Sequence, residues 1–209
     1  MRRFSGSLAV AEGIAARKRL PPTVAELLFA HASETVRRRL EERGIVPLPM
    51  AAALVQHARE KATAGYVALT GDAQASIALA RQLHDSRRLT PSMILRTVCM
   101  GDVPFFEAAM ALKAGIPIPS AQALIHDAGG HGLEKLLART GMPPESLRAV
   151  RAALAVAAET PFDGGPDDRP RHVRRMIERV LTQVDDMGVD TLDFLLAKLD
   201  RTGPPHAAA

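Results

Sequence analysis

The residues whose types and spacing are best suited to chemistry lie in one segment, His126 to Gly132, which reads HDAGGHG. A histidine beside Asp127, with His131 five positions further on, offers ligands for a divalent metal, and metal-bound water could act as the nucleophile of a hydrolase. The spacing argues against this, because adjacent helical residues point about 100° apart. We expect His126 and Asp127 to bond backbone groups at a helix end, with a metal-dependent hydrolase at His126, Asp127 and His131 as an alternative.

Two acidic residues, Asp102 and Glu107, lie five positions apart and suggest a carboxylate pair for general acid–base catalysis. Asp102 is better explained as the N-cap of a helix, because Pro104 follows it in the expected first turn. Glu107 then lies near that turn or on the surface, where a charge needs no catalytic role. We therefore expect no catalysis from this pair.

Gly129, Gly130 and Gly132 lead into a helix, as the glycines of a phosphate-binding loop do. They lack the preceding strand and the Lys-Ser/Thr pair of a P-loop, which favours a simple turn. Cys99 is the single cysteine and lies in the apolar run MILRTVCM, so we expect a buried, unreactive thiol. The sequence thus predicts no catalytic residue and no cofactor.

One basic cluster stands out, and it consists of Arg37, Arg38, Arg39 and Arg43. It resembles the arginine-bearing second helix of HEAT-like repeat units, although a solvated helix face beside Glu41 and Glu42 would also explain it. The functional interpretation is contact with an acidic partner or with phosphates. Because aromatic residues make up only 3% of the chain, stacking on single-stranded bases is disfavoured, and duplex binding is the nucleic-acid alternative.

The composition places the chain among globular proteins. Its 209 residues are 47% hydrophobic and 24% charged, and the richness in alanine and leucine favours close-packed helices over sheets. No run of about 18 apolar residues is free of charge, so we expect no membrane insertion. The single cysteine fits a reducing compartment, and a cytoplasmic location is expected.

The chain contains an internal repeat, which appears when residue 47 is laid over residue 117. In this register the segment 47–58 aligns with 117–128 at six identical positions out of twelve, and Thr70 aligns with Thr140. Further upstream, with a one-residue slip, the segment 19–24 aligns with 88–93. The alignment predicts two tandem copies of one helical unit, at about 19–87 and 88–157, preceded by an N-terminal helix over 1–18.

Capping residues and helix breakers divide the second copy into short helices. Thr90 and Asp102 are expected N-caps, and Gly101 ends the first of these helices. The prolines within 115–119 predict an extended connector, because two prolines spaced two apart disfavour a helix interior. We expect the first copy to repeat this order of elements.

The C-terminal part is predicted to contain a linker loop over 158–172, a helical pair over 173–200 with Asp190 capping the last helix, and a disordered tail over 201–209. This part carries a net −3 against +7 for residues 1–157, which suggests that it covers the repeat. Because one helical unit cannot bury its apolar face alone, units stack. The predicted fold is all-α, a short α-solenoid of two HEAT-like copies with a C-terminal helical cap.

Several long blocks resemble a known bacterial family. They are RLTPSMILRTVCMGDVPFFEAAMALKAGIP, ALIHDAGGHGLEKLLARTGMP, RMIERVLTQ and LDFLLAKL. They look like the C-terminal part of domain of unknown function 2336, which is found mostly in alphaproteobacteria. The resemblance runs from about residue 19 to 200. It implies a cytoplasmic helical repeat protein and carries no activity, cofactor or catalytic residue.

Together these observations favour a non-catalytic protein–protein interaction or scaffold module with an unidentified protein partner. Duplex nucleic-acid binding through the arginine-rich face and metal-dependent hydrolysis are the alternatives. The sequence gives no indication of oligomeric state.

Overall fold

The computed structural model describes residues 13–17, 20–44, 47–70, 72–159, 168–185 and 187–201. Across these residues the regular secondary structure is entirely helical, which confirms the all-α fold class. The predicted N-terminal helix, linker loop and C-terminal tail lie largely outside the described residues, but residues 168–172 of the predicted linker are helical, so the C-terminal pair begins earlier than predicted. The chain divides into two compact units, 1–66 and 67–209, and each is considered by itself.

The helices follow one another with short connections. They are α1 (Pro22–Glu42), α2 (Leu48–Thr70), α3 (Ala73–Asp85), α4 (Pro91–Cys99), α5 (Val103–Ala114), α6 (Ile118–Ile125), α7 (His131–Thr140), α8 (Ser146–Glu159), α9 (Asp168–Gln183) and α10 (Val189–Arg201).

Two helix starts form as the sequence predicts. The Thr90 hydroxyl accepts a hydrogen bond from the Met93 amide at the start of α4, and the Asp102 carboxylate accepts one from the Phe105 amide at the start of α5. Each satisfies an amide that would otherwise lack a partner in the first turn. The N-cap predictions at Thr90 and Asp102 are confirmed.

Three local predictions are wrong. The first copy does not repeat the order of short helices, because α1 and α2 run unbroken. Pro119 lies within the first turn of α6, after Pro117 at its N-cap, because a first-turn residue needs no amide hydrogen. Asp190 lies inside the first turn of α10 rather than at the position before it, and the Gly188 carbonyl accepts from the Thr191 amide there.

Helix α5 forms the centre of the 67–209 unit. It packs against α3, α4, α6 and α7, and its Phe105 and Phe106 side chains are fully buried. Helix α4 also contacts α8, α9 and α10, so the C-terminal pair packs on the same core. Among the described residues, no single helix has the length and apolar character to cross a membrane; α5 and α6 together would, but they are bent by 111°.

The 1–66 unit is held by Tyr66. Its hydroxyl donates to the Leu20 carbonyl at 2.7 Å, and its ring meets Phe29 edge-on with centroids 6.1 Å apart. Helix α1 buries only residues of its first turns, namely Pro22, Ala25 and Glu26. The remaining residues of α1 are partly or fully exposed, so most of this helix extends beyond its packing contacts.

Candidate functional site

The segment from His126 to Gly132 forms the turn between α6 and α7. The Asp127 carboxylate accepts a hydrogen bond from the Gly132 amide at 3.2 Å, so Asp127 bonds backbone at a helix end as predicted. A Cβ on Gly132 would lie 2.6 Å from the Leu124 carbonyl oxygen, so glycine is needed for the close approach of the two helices. The glycines serve packing, as expected of a turn.

His126 does not bond backbone through its ring, which corrects the expectation. Its Nε2 lies 2.7 Å from Glu107 Oε1, and the Gln122 amide donates to Glu107 Oε2, also at 2.7 Å. Glu107 is buried, so the prediction of a first-turn or surface charge is wrong. These contacts join residues 15 and 19 positions apart, and no local pattern signals them. Glu107 fastens α5 to α6.

The three candidate metal ligands do not form one group. His126 is directed to Glu107, while Asp127 accepts from the Gly132 amide in the first turn of α7. Within the part of the chain that the structure describes, no three histidine, cysteine, aspartate or glutamate side chains are grouped so as to hold a metal ion. The geometry gives no support to a metal site at His126, Asp127 and His131.

A second polar cluster, which sequence analysis missed, surrounds Asp102 at the N-terminus of α5. The Ser76 hydroxyl donates to Asp102 Oδ2 at 2.9 Å and thereby ties α3 to α5. Burial raises the pKa of Asp102 to about 6, although the bonds from the Phe105 amide and Ser76 oppose the shift. Asp102 thus remains a structural cap, and it changes charge near neutral pH.

His172 on α9 lies directly against Gly101. A Cβ there would be 2.8 Å from His172 Nε2, and Gly101 also has φ +87°, so only glycine fits. Burial lowers the pKa of His172, and the neighbouring Arg169 and Arg175 lower it further. On the same core, the guanidinium of fully buried Arg96 lies 5.4 Å from the Phe194 ring centroid.

Cys99 has the environment that its sequence context predicts. It is fully buried, and burial raises the pKa of its thiol to about 12. A thiol in this state is not a nucleophile. The expectation of a buried cysteine is confirmed, and the raised pKa fits an unreactive thiol.

The arginine cluster lies on the C-terminal half of α1 and just beyond it. Arg37 pairs with Glu34 and Glu41, and Arg38 lies 4.0 Å from Glu42. The hydrogen bond from Arg37 lowers the pKa of Glu34. Arg39 and Arg43 are exposed, and neither forms an ion pair with any residue that the structure describes. These two arginines are the charges of the cluster that remain available to a partner.

Beside Arg39 and Arg43 lies an apolar surface, here named the α1 stripe, made of Phe29, Ala32, Val36 and Leu40. Their spacing of three and four residues places them on one side of the helix. The same side is buried further upstream, at Pro22 and Ala25. Val36 is 50% exposed, so the apolar side of α1 extends beyond the residues that the described part of the 1–66 unit covers.

A second exposed surface, the α10 stripe, consists of Val189, Asp193, Leu196 and Asp200. The spacing of four, three and four residues again defines one side of a helix. Val189 is 72% and Leu196 44% exposed, so both apolar side chains face solvent. Asp193 and Asp200 are exposed and form no ion pair within the described residues. The stripe combines apolar and acidic groups.

Comparison with known proteins gives a family but no characterised relative. The family model described as an uncharacterised protein conserved in bacteria, DUF2336, matches residues 1–190. No curated protein and no solved structure matches the chain significantly. The matched range covers most of the chain and includes every described helix up to α9, so the resemblance seen in the sequence is confirmed. The chain belongs to the DUF2336 family.

Proposed function

We propose that this protein is a non-catalytic cytoplasmic interaction module, built on two HEAT-like helical copies, that binds another protein through the α1 stripe. The observation that carries the proposal is the uncovered apolar side of α1 around Val36. A contiguous exposed apolar surface is a feature of protein interaction sites, because burying it in a complex removes it from water.

The helix bounds support the tandem arrangement. Leu48 and Ile118, which begin α2 and α6, occupy aligned positions of the two copies, as do Thr70 and Thr140, which end α2 and α7. Pro22 and Pro91 begin α1 and α4, and they align with the one-residue slip noted in the sequence. These matching bounds fit two copies of one unit, with α9 and α10 as the C-terminal cap.

The charges of α1 favour a protein partner over a nucleic acid. Glu34, Glu41 and Glu42 lie among the four arginines and neutralise two of them. A helix with interspersed acids repels a phosphate backbone, which is bound by uniformly basic surfaces. Arg39 and Arg43 beside an apolar stripe instead suit a helix with apolar and acidic residues.

Site-specific photocrosslinking in the native host tests the proposal. Val36 is replaced by p-benzoylphenylalanine, and adducts are resolved after irradiation. Leu27 is the matched control, because it lies nine residues away on the opposite side of α1 and is 40% exposed, close to the 50% of Val36. We expect one discrete protein adduct at position 36 and none at 27. Equal adducts at both positions, or none at either, would refute docking on the stripe.

A further inference from the structure

The α1 stripe and the α10 stripe are complementary. The first is apolar and flanked by exposed Arg39 and Arg43, and the second carries exposed Asp193 and Asp200, which alternate with Val189 and Leu196. None of these four charges forms an ion pair with a described residue. Each surface can therefore supply the other with apolar contact and with charges of opposite sign.

We propose that the α10 stripe of one molecule docks on the α1 stripe of a second copy. Val189 and Leu196 then cover Val36 and Leu40, while Asp193 and Asp200 meet Arg39 and Arg43. This names the partner for the surface assigned under the proposed function, on which the inference rests. Recognition of an amphipathic helix through its apolar side is a general mode of protein binding.

The two stripes differ, so the contact is heterologous. Each molecule has one of each, and both remain open to further copies. Such head-to-tail contacts generate rings or open chains rather than a symmetric dimer. One helix against another buries well under about 1,200 Å², which corresponds to weak, reversible association. Because exposed ion pairs contribute, the association should weaken with salt.

Sedimentation velocity of the full chain tests the proposal. We expect the average mass to rise with protein concentration and to fall between about 50 and about 500 mM NaCl. Val36→Asp breaks only the α1 stripe, and Leu196→Asp breaks only the α10 stripe. Each variant alone should be monomeric, with association weakened about tenfold or more, because a carboxylate would be buried against apolar groups.

Mixing the two variants gives the decisive result. The Val36→Asp protein keeps an intact α10 stripe, and the Leu196→Asp protein keeps an intact α1 stripe. An equal mixture should form a dimer and nothing larger, which misfolding of either variant cannot produce. Leu27→Asp, on the opposite side of α1, should associate like the wild type. Reversing Arg39 and Arg43 to Asp should be rescued by reversing Asp193 and Asp200 to Arg.

Three outcomes would overturn the proposal. Loss of association with Val36→Asp but not with Leu196→Asp would show that α1 pairs with itself. Failure of the mixture to form a dimer would exclude the heterologous contact. A wild-type protein that stays monomeric at all concentrations would also exclude it. If the wild type stays monomeric, a crosslinked adduct between position 36 and a different protein would still support the proposed function. If no such adduct forms either, both the self-association and the proposed function are refuted.

Discussion

Residues 48–70 form one unbroken helix, α2, whereas residues 118–140 form two helices, α6 and α7. The two stretches align in the register of the repeat, and their outer ends coincide. The two stretches differ in their middle, where Arg59 and Glu60 occupy the positions that Gly129 and Gly130 hold in the second stretch. Arginine and glutamate favour helix, and glycine allows the φ of +69° seen at Gly130. The residues at these two positions explain why the first stretch is one helix and the second is two.

The same contrast distinguishes α1 from the α4–α5 pair. With the offset that matches Pro22 to Pro91, Ala32 takes the place of Gly101 and Val36 that of Phe105. Phe105 is fully buried, whereas Val36 is half exposed. Without the break, α1 cannot fold back to be covered as α5 is. A missing glycine thus leaves exposed on α1 a position that is buried on α5.

The largest expected effect comes from truncating the two aligned positions. Phe105→Ala should lower the free energy of unfolding by about 4 kcal/mol, through lost burial and the cavity left behind. Val36→Ala should change it by less than about 0.5 kcal/mol, because its surroundings are solvent. Urea unfolding of both variants measures the difference. Similar losses of unfolding free energy in the two variants would show that Val36 is buried like Phe105, and the contrast between the two positions would not hold.

The second-largest effect is expected at Gly101, which separates α4 from α5, and at its counterpart Ala32. Gly101→Ala should destabilise by roughly 3 to 4 kcal/mol, from the positive φ and the clash with His172. The reciprocal change Ala32→Gly should cost only about 1 kcal/mol, the helix-propensity difference. Equilibrium denaturation of the two variants gives both values. A Gly101→Ala protein as stable as the wild type would contradict the close approach of α9.

The charge at the start of α5 makes stability depend on pH. Because the pKa of Asp102 is raised to about 6 from 3.8, the folded chain holds a proton that the unfolded chain has released. The contribution of Asp102 to stability therefore falls as pH rises from about 4 to about 6, by on the order of 3 kcal/mol.

Asp102→Asn keeps a capping side chain and removes this titration. His172, whose pKa is lowered, contributes in the opposite direction, gaining stability as pH rises toward 6.5. The quantity to measure is therefore the difference between wild type and variant at each pH. It should shift in favour of the variant as pH rises. Asp85→Asn, at an exposed position outside both stripes, serves as control, and parallel profiles for wild type and Asp102→Asn would disprove the assignment.

The smallest expected effect concerns the close packing of α6 and α7. Gly132→Ala should cost about 2 kcal/mol, because the new Cβ meets the Leu124 carbonyl and outweighs the gain in helix propensity. Its counterpart Ala62→Gly in the unbroken α2 should cost about 1 kcal/mol. Thermal unfolding compares the pair. Stabilisation by Gly132→Ala would mean that the two helices can separate freely.

The helix starts were predictable because capping acts over two or three residues. Thr90, Asp102 and the following prolines carry their signal locally. The family resemblance and the all-α class followed from long blocks and composition. The second copy is a poor template for α1 and α2, because the glycines that separate its short helices have no counterpart at positions 32, 59 and 60.

The site contacts were less accessible to sequence reasoning. Glu107 meets His126 and Gln122 only because α5 and α6 fold together, and nothing in its neighbours shows that it is buried. The charges on α1 were visible, but which of them are paired depends on side-chain geometry. Arg37 is neutralised twice, while Arg39 is not. The burial of Glu107 and the pairing of the α1 arginines both depend on the three-dimensional arrangement of side chains.

The positions of Tyr66 and Cys99 give the molecule two built-in reporters. The chain has one tyrosine, one cysteine and no tryptophan. Tyr66 lies in the 1–66 unit, where its hydroxyl is bonded, so its intrinsic fluorescence follows that unit. Cys99 is sealed in the 67–209 unit, so a thiol reagent reacts only as fast as that core opens. The opening of each unit can thus be timed separately in the unaltered protein, without an introduced label.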